Sequence, residues 1–207
     1  MASFFETEEL KDKLIIAGIN EIDTHGPEDF SLRRVAYTCG VSCAAPYKHF
    51  KNREGLIIEI LGFFNRQWKL LEDQIIQVHK DDLKTLILEL CMANIKFRIA
   101  NPNYRFLFTL NKETFPEEKK KEMENMNGRI EEYIRKYCEE KSYPKEVTDE
   151  IVMSINSYIY GTAMTLEPEN EPMIEIEFRS IRRKIDMELR EETIKGLLDE
   201  IKKESVL

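Results

Sequence analysis

The sequence predicts an all-α fold, and three observations lead to that prediction. The 207 residues include only 8 Gly and 7 Pro, which cluster at joints between apolar segments. Between these joints the apolar residues are spaced by three and four, as on one face of a helix. The composition of residues 1–55 also differs from that of the rest, so we expect a separate N-terminal domain.

The helical spacing is clearest in four segments of the chain. From Ile57 to Ile75 the apolar residues step by four and three, which predicts one long helix. Similar stripes predict helices around 83–97, 123–137 and 151–162, and a last helix is expected near 189–201. Residues 173–178 (MIEIEF) alternate as a short strand would, and 167–188 stays open between a loop, a short helix and an irregular arm.

The overall charge restricts the possible functions. Asp and Glu number 39 against 31 Lys and Arg, a net charge of −8, so a nucleic-acid site has to be a local basic patch. No apolar window is long enough for a membrane span, and the acidic N-terminal decapeptide lacks the pattern of a secretory signal. We therefore expect a cytoplasmic protein that does not contact membranes.

No pattern typical of enzymes or metal proteins is present. The four cysteines form no C-x-x-C pair, and no two of the three histidines have the spacing of metal ligands. Phosphate-binding loops and nucleophile elbows are also absent. We expect no catalytic residue, no metal and no cofactor.

Residues 31–50 have the pattern of a helix-turn-helix unit. Ser31 is a good N-cap for a first short helix, and Gly40 supplies the left-handed residue that a tight turn needs. We expect Ser42 to cap a second helix that runs to about Phe50. Two short helices joined by a turn that contains Gly are typical of DNA-binding proteins.

The charge of this segment differs from that of the whole chain. Between Ser31 and Arg53 there are five cationic residues and no acidic residue, a local charge of +5. Such a patch suits DNA phosphates. We predict that the DNA-binding residues are Ser31, Arg33, Arg34, Thr38, Ser42, Cys43, Ala44, Ala45, Tyr47, Lys48, His49 and Arg53. Tyr47, Phe50 and Leu56 also fit the small core of a three-helix unit, which is the preferred interpretation for Phe50.

These residues resemble the TetR family of bacterial transcription regulators. The shared pattern is A-x-x-x-G-V-S-x-x-x-x-Y-x-H-F-x-x-[KR]-E-x-L, here from Ala36 to Leu56, and the resemblance covers residues 8–60. Pro46 departs from it, because family members usually have Leu or Ile there. Since proline lacks an N–H group, Pro46 is expected to reshape the groove-facing turn, which affects the base contacts assigned to Ala44 and Ala45.

The resemblance implies a function for the whole chain. Residues 1–55 would be the helix-turn-helix DNA-binding domain, and 56–207 a helical-bundle domain that binds a ligand and dimerises. The protein would be a homodimer that binds double-stranded DNA at a palindromic operator, most simply as a repressor released by a small-molecule effector. A helical ligand-binding or protein-interaction module with a degenerate DNA-binding domain is the alternative, and a small all-α enzyme is a third class.

Two further sets of residues follow for the C-terminal domain. An aromatic-rich group suits an apolar ligand, although residues at this spacing more often form a plain core: Phe97, Tyr104, Phe106, Phe108, Tyr133, Tyr137, Met153 and Tyr160. A strip of small residues on one helix allows close approach of another helix, within the chain or from a second subunit. The predicted dimer interface consists of Ser154, Ser157, Gly161, Thr165, Leu197 and Ile201.

Overall fold

The computed structural model describes residues 4–102, 127–166 and 171–204. All nine elements in these ranges are helices, and none of the described residues forms a strand, which confirms the predicted all-α class. The helices are α1 (Phe4–His25), α2 (Leu32–Thr38), α3 (Pro46–His49), α4 (Arg53–His79), α5 (Leu83–Ala100), α6 (Gly128–Glu140), α7 (Lys145–Thr165), α8 (Glu171–Glu188) and α9 (Glu191–Glu204).

The described residues fall into two compact units, an N-terminal unit that includes residues 4–67 and a C-terminal unit that includes residues 68–101, 127–166 and 171–204. Helix α4 contributes its first half to the N-terminal unit and its second half to the C-terminal unit. The predicted stripe of α4 is buried from Ile57 to Trp68, and its last two members, Leu71 and Ile75, are half-buried.

The N-terminal unit is built around α1, which packs against α2 and α3. Gly18 marks a close approach between α1 and α4, because a Cβ atom there would lie 2.9 Å from Ile60 Cδ1 and 3.3 Å from Leu56 Cδ2. A larger residue would push the two helices apart. The short helices α2 and α3 therefore pack against α1, which is itself closely packed against α4.

In the C-terminal unit α7 is central and packs against α5, α6, α8 and α9. A buried polar network joins three of these elements at one level of the core. The guanidinium of Arg98 donates to Asn94 Oδ1 (2.6 Å) and to Asn127 Oδ1 (3.2 Å), and Asn127 Nδ2 donates to Asn156 Oδ1 (3.1 Å). Asn156 in turn donates to Glu131 Oε1 (2.8 Å). The bonds fix the register of α5, α6 and α7, because a slip would leave buried polar atoms unpaired.

The strand-like interpretation of 173–178 is wrong, because this segment lies in helix α8. The helix is amphipathic through its second half, where Ile181 and Ile185 are buried one turn apart. Burial of that face outweighs the local alternation of acidic and apolar residues. Of the range left open in the sequence analysis, residues 171–188 are therefore helical.

Glu72 on α4 is a buried acid whose burial is only partly compensated by Trp68 and Arg129. Its side chain is 5% exposed, Oε2 lies 3.7 Å from Arg129 Nη1, and Oε1 is buried without a hydrogen-bond partner among the described residues. Burial raises the pKa of Glu72 from 4.5 to about 7, although the nearby Arg129 charge acts in the opposite direction.

Among the described residues, no helix has both the length and the apolar character that a membrane crossing requires.

We expect Glu72→Gln to stabilise the fold at pH 8 by up to about 3 kcal/mol and to do much less at pH 5. Between pH 4.5 and 7 the folded protein holds a proton that the unfolded chain has released, so stability from this group falls as the pH rises through that window. Urea denaturation at the two pH values measures the difference. Asp73→Asn, at the exposed neighbour that also pairs with Arg129, is the control, and an equal gain for Glu72→Gln at both pH values would contradict the assignment.

Candidate nucleic-acid interface

The turn after α2 is closed by a left-handed glycine. Gly40 has φ +67°, its N–H donates to the Tyr37 carbonyl (3.0 Å), and the Val41 N–H donates to the Ala36 carbonyl (3.0 Å). This pair of bonds is a Schellman motif, which satisfies the last carbonyls of a helix and turns the chain away from its axis. The predicted role of Gly40 is confirmed.

The start of α2 is also as predicted. Ser31 is the N-cap, and its hydroxyl accepts a hydrogen bond from the Arg34 N–H (3.4 Å). Leu32, Val35 and Ala36 are buried on the inner face. Both ends of this seven-residue helix are thus fixed by side chain and turn chemistry that the sequence shows directly.

The second helix differs from its predicted form. It contains only Pro46–His49, and its N-cap is Ala45. Ser42 lies before the helix in a turn, and the Ser42 carbonyl accepts a hydrogen bond from the Ala45 N–H (2.9 Å). The expectation that Ser42 caps this helix is therefore wrong. Proline at the first helical position loses no hydrogen bond, because that N–H has no partner inside a helix. Pro46 therefore moves the start of the helix instead of disrupting it.

One face of the helix-turn-helix unit is open to solvent. On α2 the exposed residues are Arg33, Arg34, Tyr37 and Thr38, and on α3 they are Tyr47 and Lys48, with Ser42, Cys43 and Ala44 exposed in the turn between. Ser31 and His49 are half-buried, whereas Ala45 is buried at 8% exposure. Most of the predicted DNA-binding residues thus lie on the surface of one small unit.

Tyr37 was missed in the sequence analysis. Its side chain is 86% exposed, the highest value among the exposed large apolar residues, and it lies one helical turn after Arg33. The signal available in the sequence was an aromatic residue four positions after Arg33, inside the acid-free segment. The ring suits apolar contact, and the hydroxyl suits a phosphate oxygen.

The cations of this unit fall into two groups. Among the described residues, Arg33, Lys48 and Lys51 have no ion-pair partner. Arg34, in contrast, donates from Nε to Glu21 Oε1 (2.7 Å), and Arg53 donates from Nη2 to the Glu28 carbonyl (3.4 Å). Glu21 therefore compensates the charge of Arg34, whereas bonds to neutral carbonyls leave the charge of Arg53 in place.

The predicted pocket residues are dispersed. Phe97 lies 5.6 Å from the Trp68 ring, and the Tyr137 hydroxyl donates to the Leu189 carbonyl (2.9 Å). Tyr133 is half-buried on α6. Met153 and Tyr160 are 65% and 41% exposed, so they do not line an enclosed cavity within this chain. Tyr104, Phe106 and Phe108 lie outside the described residues.

Tyr137 borders an open depression of about 540 Å³ near the start of α9. Its lining is mostly charged, with Lys84, Arg190 and Lys195 among the residues around it. An apolar effector is poorly matched to such a lining. This depression therefore differs from the aromatic pocket that the sequence predicts.

The predicted interface residues on α7 form an exposed strip. Ser157, Gly161 and Thr165 are exposed and Ser154 is half-buried. Ser157 Oγ donates to the Met153 carbonyl (2.8 Å) and Thr165 Oγ1 to the Gly161 carbonyl (2.9 Å), so both hydroxyls are satisfied within the helix. The strip is thus able to be covered without leaving these groups unpaired. Leu197 on α9 is half-buried, and the Ile201 side chain lies outside the described residues.

The chain resembles known proteins at two levels. Residues 14–60 match the family model described as bacterial regulatory proteins, tetR family. No curated protein sequence matches the chain.

Solved structures share the fold over most of the chain at low sequence identity. A TetR/AcrR-family transcriptional regulator from Thermobifida fusca has a TM-score of 0.66 at 16% identity, covering 84% of this chain and 97% of its own. The TetR-family regulator PfmR from Thermus thermophilus has a TM-score of 0.63 at 16% identity, with 92% and 97% covered. FadR from Bacillus subtilis, solved with stearoyl-CoA, has a TM-score of 0.59 at 13% identity, with 86% and 96% covered.

We expect Gly40→Ala to destabilise the protein by about 1–2 kcal/mol, because an L-residue with a Cβ is strained at positive φ. No atom lies within 4 Å of the added Cβ, so the loss reports backbone strain alone. Ser142→Gly is the matched control: Ser142 has φ 57° in the same motif at the end of α6, where the Tyr143 N–H donates to the Cys138 carbonyl. Thermal or urea denaturation should show a gain for Ser142→Gly, and losses of equal size in both variants would contradict the interpretation.

Proposed function

We propose that this chain, whose residues 14–60 match the tetR family of bacterial regulatory proteins, is a sequence-specific, DNA-binding transcriptional repressor. The supporting observation is the exposed, acid-free face of α2 and α3 in a chain of net charge −8. In this proposal residues 1–55 bind DNA, and residues 56–207 bind an effector and dimerise. The acidic remainder of the molecule repels DNA elsewhere and so keeps non-specific binding weak.

The recognition surface divides into base-reading and phosphate-binding parts. Tyr47 and Lys48 on α3 enter the major groove, preceded by the exposed turn residues Cys43 and Ala44, whose small side chains permit close approach to the bases. We assign phosphate contacts to the polar and cationic side chains along α2 and beside α3: Ser31, Arg33, Tyr37, Thr38, Ser42, His49 and Lys51. Ala45 is buried and has no place in this assignment.

The position of Pro46 supports DNA binding over the alternative of a degenerate domain. Because Pro46 is at the first position of α3, it leaves the helix intact and keeps Tyr47 and Lys48 exposed. A degenerate recognition unit has no reason to keep both an ordered turn and an acid-free surface. The intact start of α3 and the exposure of Tyr47 and Lys48 thus support the DNA-binding function.

A second copy of the chain is the partner we propose for the α7 strip. The strip combines a glycine with open space around it, hydroxyls satisfied within the helix, and exposed Met153, Tyr160 and Met164. Small residues let a partner helix approach, and the exposed apolar side chains supply area to bury. A two-fold dimer presents two recognition helices to a palindromic operator.

We propose that a small molecule releases the protein from the operator. An effector that binds better when the two recognition helices have a different separation shifts the population towards that state and lowers operator affinity. The effector site belongs to the helical domain, where Phe97 and Tyr133 remain the proposed contacts among the described residues. Tyr104 and Phe108 remain proposed contacts from the sequence.

The DNA-binding proposal predicts that the purified protein enriches a palindrome from a random DNA pool at both low and near-physiological salt. Lys48→Glu should abolish the enrichment, because an exposed cation at the groove becomes an anion. Lys136→Glu, the same change on the exposed face of α6, should leave it intact. Binding that disappears at the higher salt and enriches no sequence would overturn the proposal.

The dimer proposal predicts a particle of twice 24.5 kDa by light scattering at micromolar concentration. Gly161→Glu should reduce the mass to that of one chain, since it places a bulky charge on the strip where a partner helix approaches closely. The Lys136→Glu variant is again the control and should remain a dimer. A wild-type mass of 24.5 kDa would contradict the proposed interface.

A further inference from the structure

The connection between α1 and α2 is held by side chains from both sides. It begins at Gly26, which has φ +72° and whose N–H donates to the Ile22 carbonyl (2.9 Å), and it ends at the Ser31 N-cap. We call residues 26–31 the entry loop. Its geometry sets where α2 starts, and therefore where the helix-turn-helix unit lies on α1.

Glu21 is the buried anchor of the entry loop. Its side chain is 6% exposed, and Oε1 accepts from the Ser31 N–H (3.2 Å) and from the Arg34 guanidinium at Nε (2.7 Å) and Nη2 (2.5 Å). Oε2 lies 3.3 Å from His25 Nδ1. One carboxylate on α1 thus fixes the cap residue of α2 and the side chain three residues after it.

Arg34 is committed to this anchor. Besides Glu21, its Nη2 also donates to the Asp29 carbonyl in the entry loop. If Arg34 moved to a DNA phosphate, the buried Glu21 carboxylate would lose its guanidinium partner and keep only the Ser31 N–H and His25, next to a polyanion. That state is strongly unfavourable, because a buried charge requires a partner.

Arg53, at the start of α4, holds the other side of the entry loop. Its Nη2 donates to the Pro27 carbonyl and, at 3.4 Å, to the Glu28 carbonyl. Its Nε is buried without a hydrogen-bond partner among the described residues. Three consecutive loop carbonyls, of Pro27, Glu28 and Asp29, accept from the two arginines.

We infer that Arg34 and Arg53 are positioning residues, which hold the entry loop and thereby orient the helix-turn-helix unit, and that the phosphate contacts come from the other cations. The inference rests on the proposed DNA-binding function and gives a different role to two residues that the sequence analysis placed among the DNA contacts. Glu21, an acid outside the acid-free segment, helps to hold the entry loop together with the two arginines. Arg33, adjacent in sequence and free of ion pairs within the described residues, is the matched phosphate-contacting residue.

The slope of log affinity against log salt distinguishes the two roles. A cation that contacts a phosphate releases counterions, so its loss reduces the slope by about 1 per contact, or about 2 in a dimer. A positioning residue changes the affinity at every salt concentration and leaves the slope as it was. Fluorescence anisotropy on the selected duplex from 50 to 300 mM KCl measures both quantities.

We expect Arg33→Gln to reduce the slope, and Arg34→Gln and Arg53→Gln to lower the affinity about tenfold or more at an unchanged slope. Adding Glu21→Gln to Arg34→Gln removes the uncompensated carboxylate and should restore part of the affinity, a rescue that a phosphate contact does not allow. A slope that falls in Arg34→Gln as it does in Arg33→Gln, or an affinity that does not change, would overturn the inference.

Hydrogen exchange tests the same inference without DNA. Arg34→Gln and Arg53→Gln should speed exchange in residues 26–31, including the Ser31 amide bonded to Glu21, whereas Arg33→Gln should not. Unchanged exchange would overturn the positioning role whether or not the wild-type protein selects a DNA sequence. A wild-type protein that selects no sequence while exchange rises in the two variants would contradict the proposed function alone.

Discussion

The left-handed backbone at Gly40 is the constraint on which the candidate interface depends. It ends α2 after seven residues and brings the Val41 N–H back to the Ala36 carbonyl, so the chain turns within two residues. Helices of seven and four residues are too short to be stable alone in water. They persist because the turn lets buried Val35, Ala36 and Phe50 join the core of the N-terminal unit, and the polar face is left for a ligand.

The entry loop fixes the start of α2, and Gly40 fixes its end. Glu21, Arg34 and Arg53 come from α1, α2 and α4, and together they fix the loop by hydrogen bonds to its backbone. A basic segment therefore contains cations of two kinds. Those that bond to the loop carbonyls and to a buried carboxylate set the geometry, and those without a protein partner are available to phosphates.

Local chemistry accounts for what the sequence predicted correctly. The Ser31 cap, the Gly40 turn and the buried stripe of α4 depend on residues within one or two turns of each other, and all three are confirmed. The predicted start of α3 was wrong because the preference of Pro46 for the first helical position outweighed the capping preference of Ser42. In α8 the alternation at 173–178 was misleading, because the buried face is defined by Ile181 and Ile185 further along.

Non-local pairing accounts for the rest. The acceptors of Arg34 and Arg53 lie 13 and 26 residues away in sequence, at Glu21 and Pro27, and no local pattern connects them. In the same way, the exposure of Met153 and Tyr160 depends on which side of α7 its neighbours cover. Helical spacing alone does not distinguish a helix face that lines a pocket from one that contacts a second subunit.

The spacing of the operator half-sites tests the central claim most directly. The titration uses the selected palindrome and a copy with five base pairs inserted at its centre, which turns the half-sites to opposite sides of the duplex while keeping every base contact within each half. A dimer with two recognition units should bind the native spacing tightly and the widened site no better than an isolated half-site. Equal affinity for the two duplexes would mean that the chain does not recognise DNA as a two-fold dimer, and the account would be wrong.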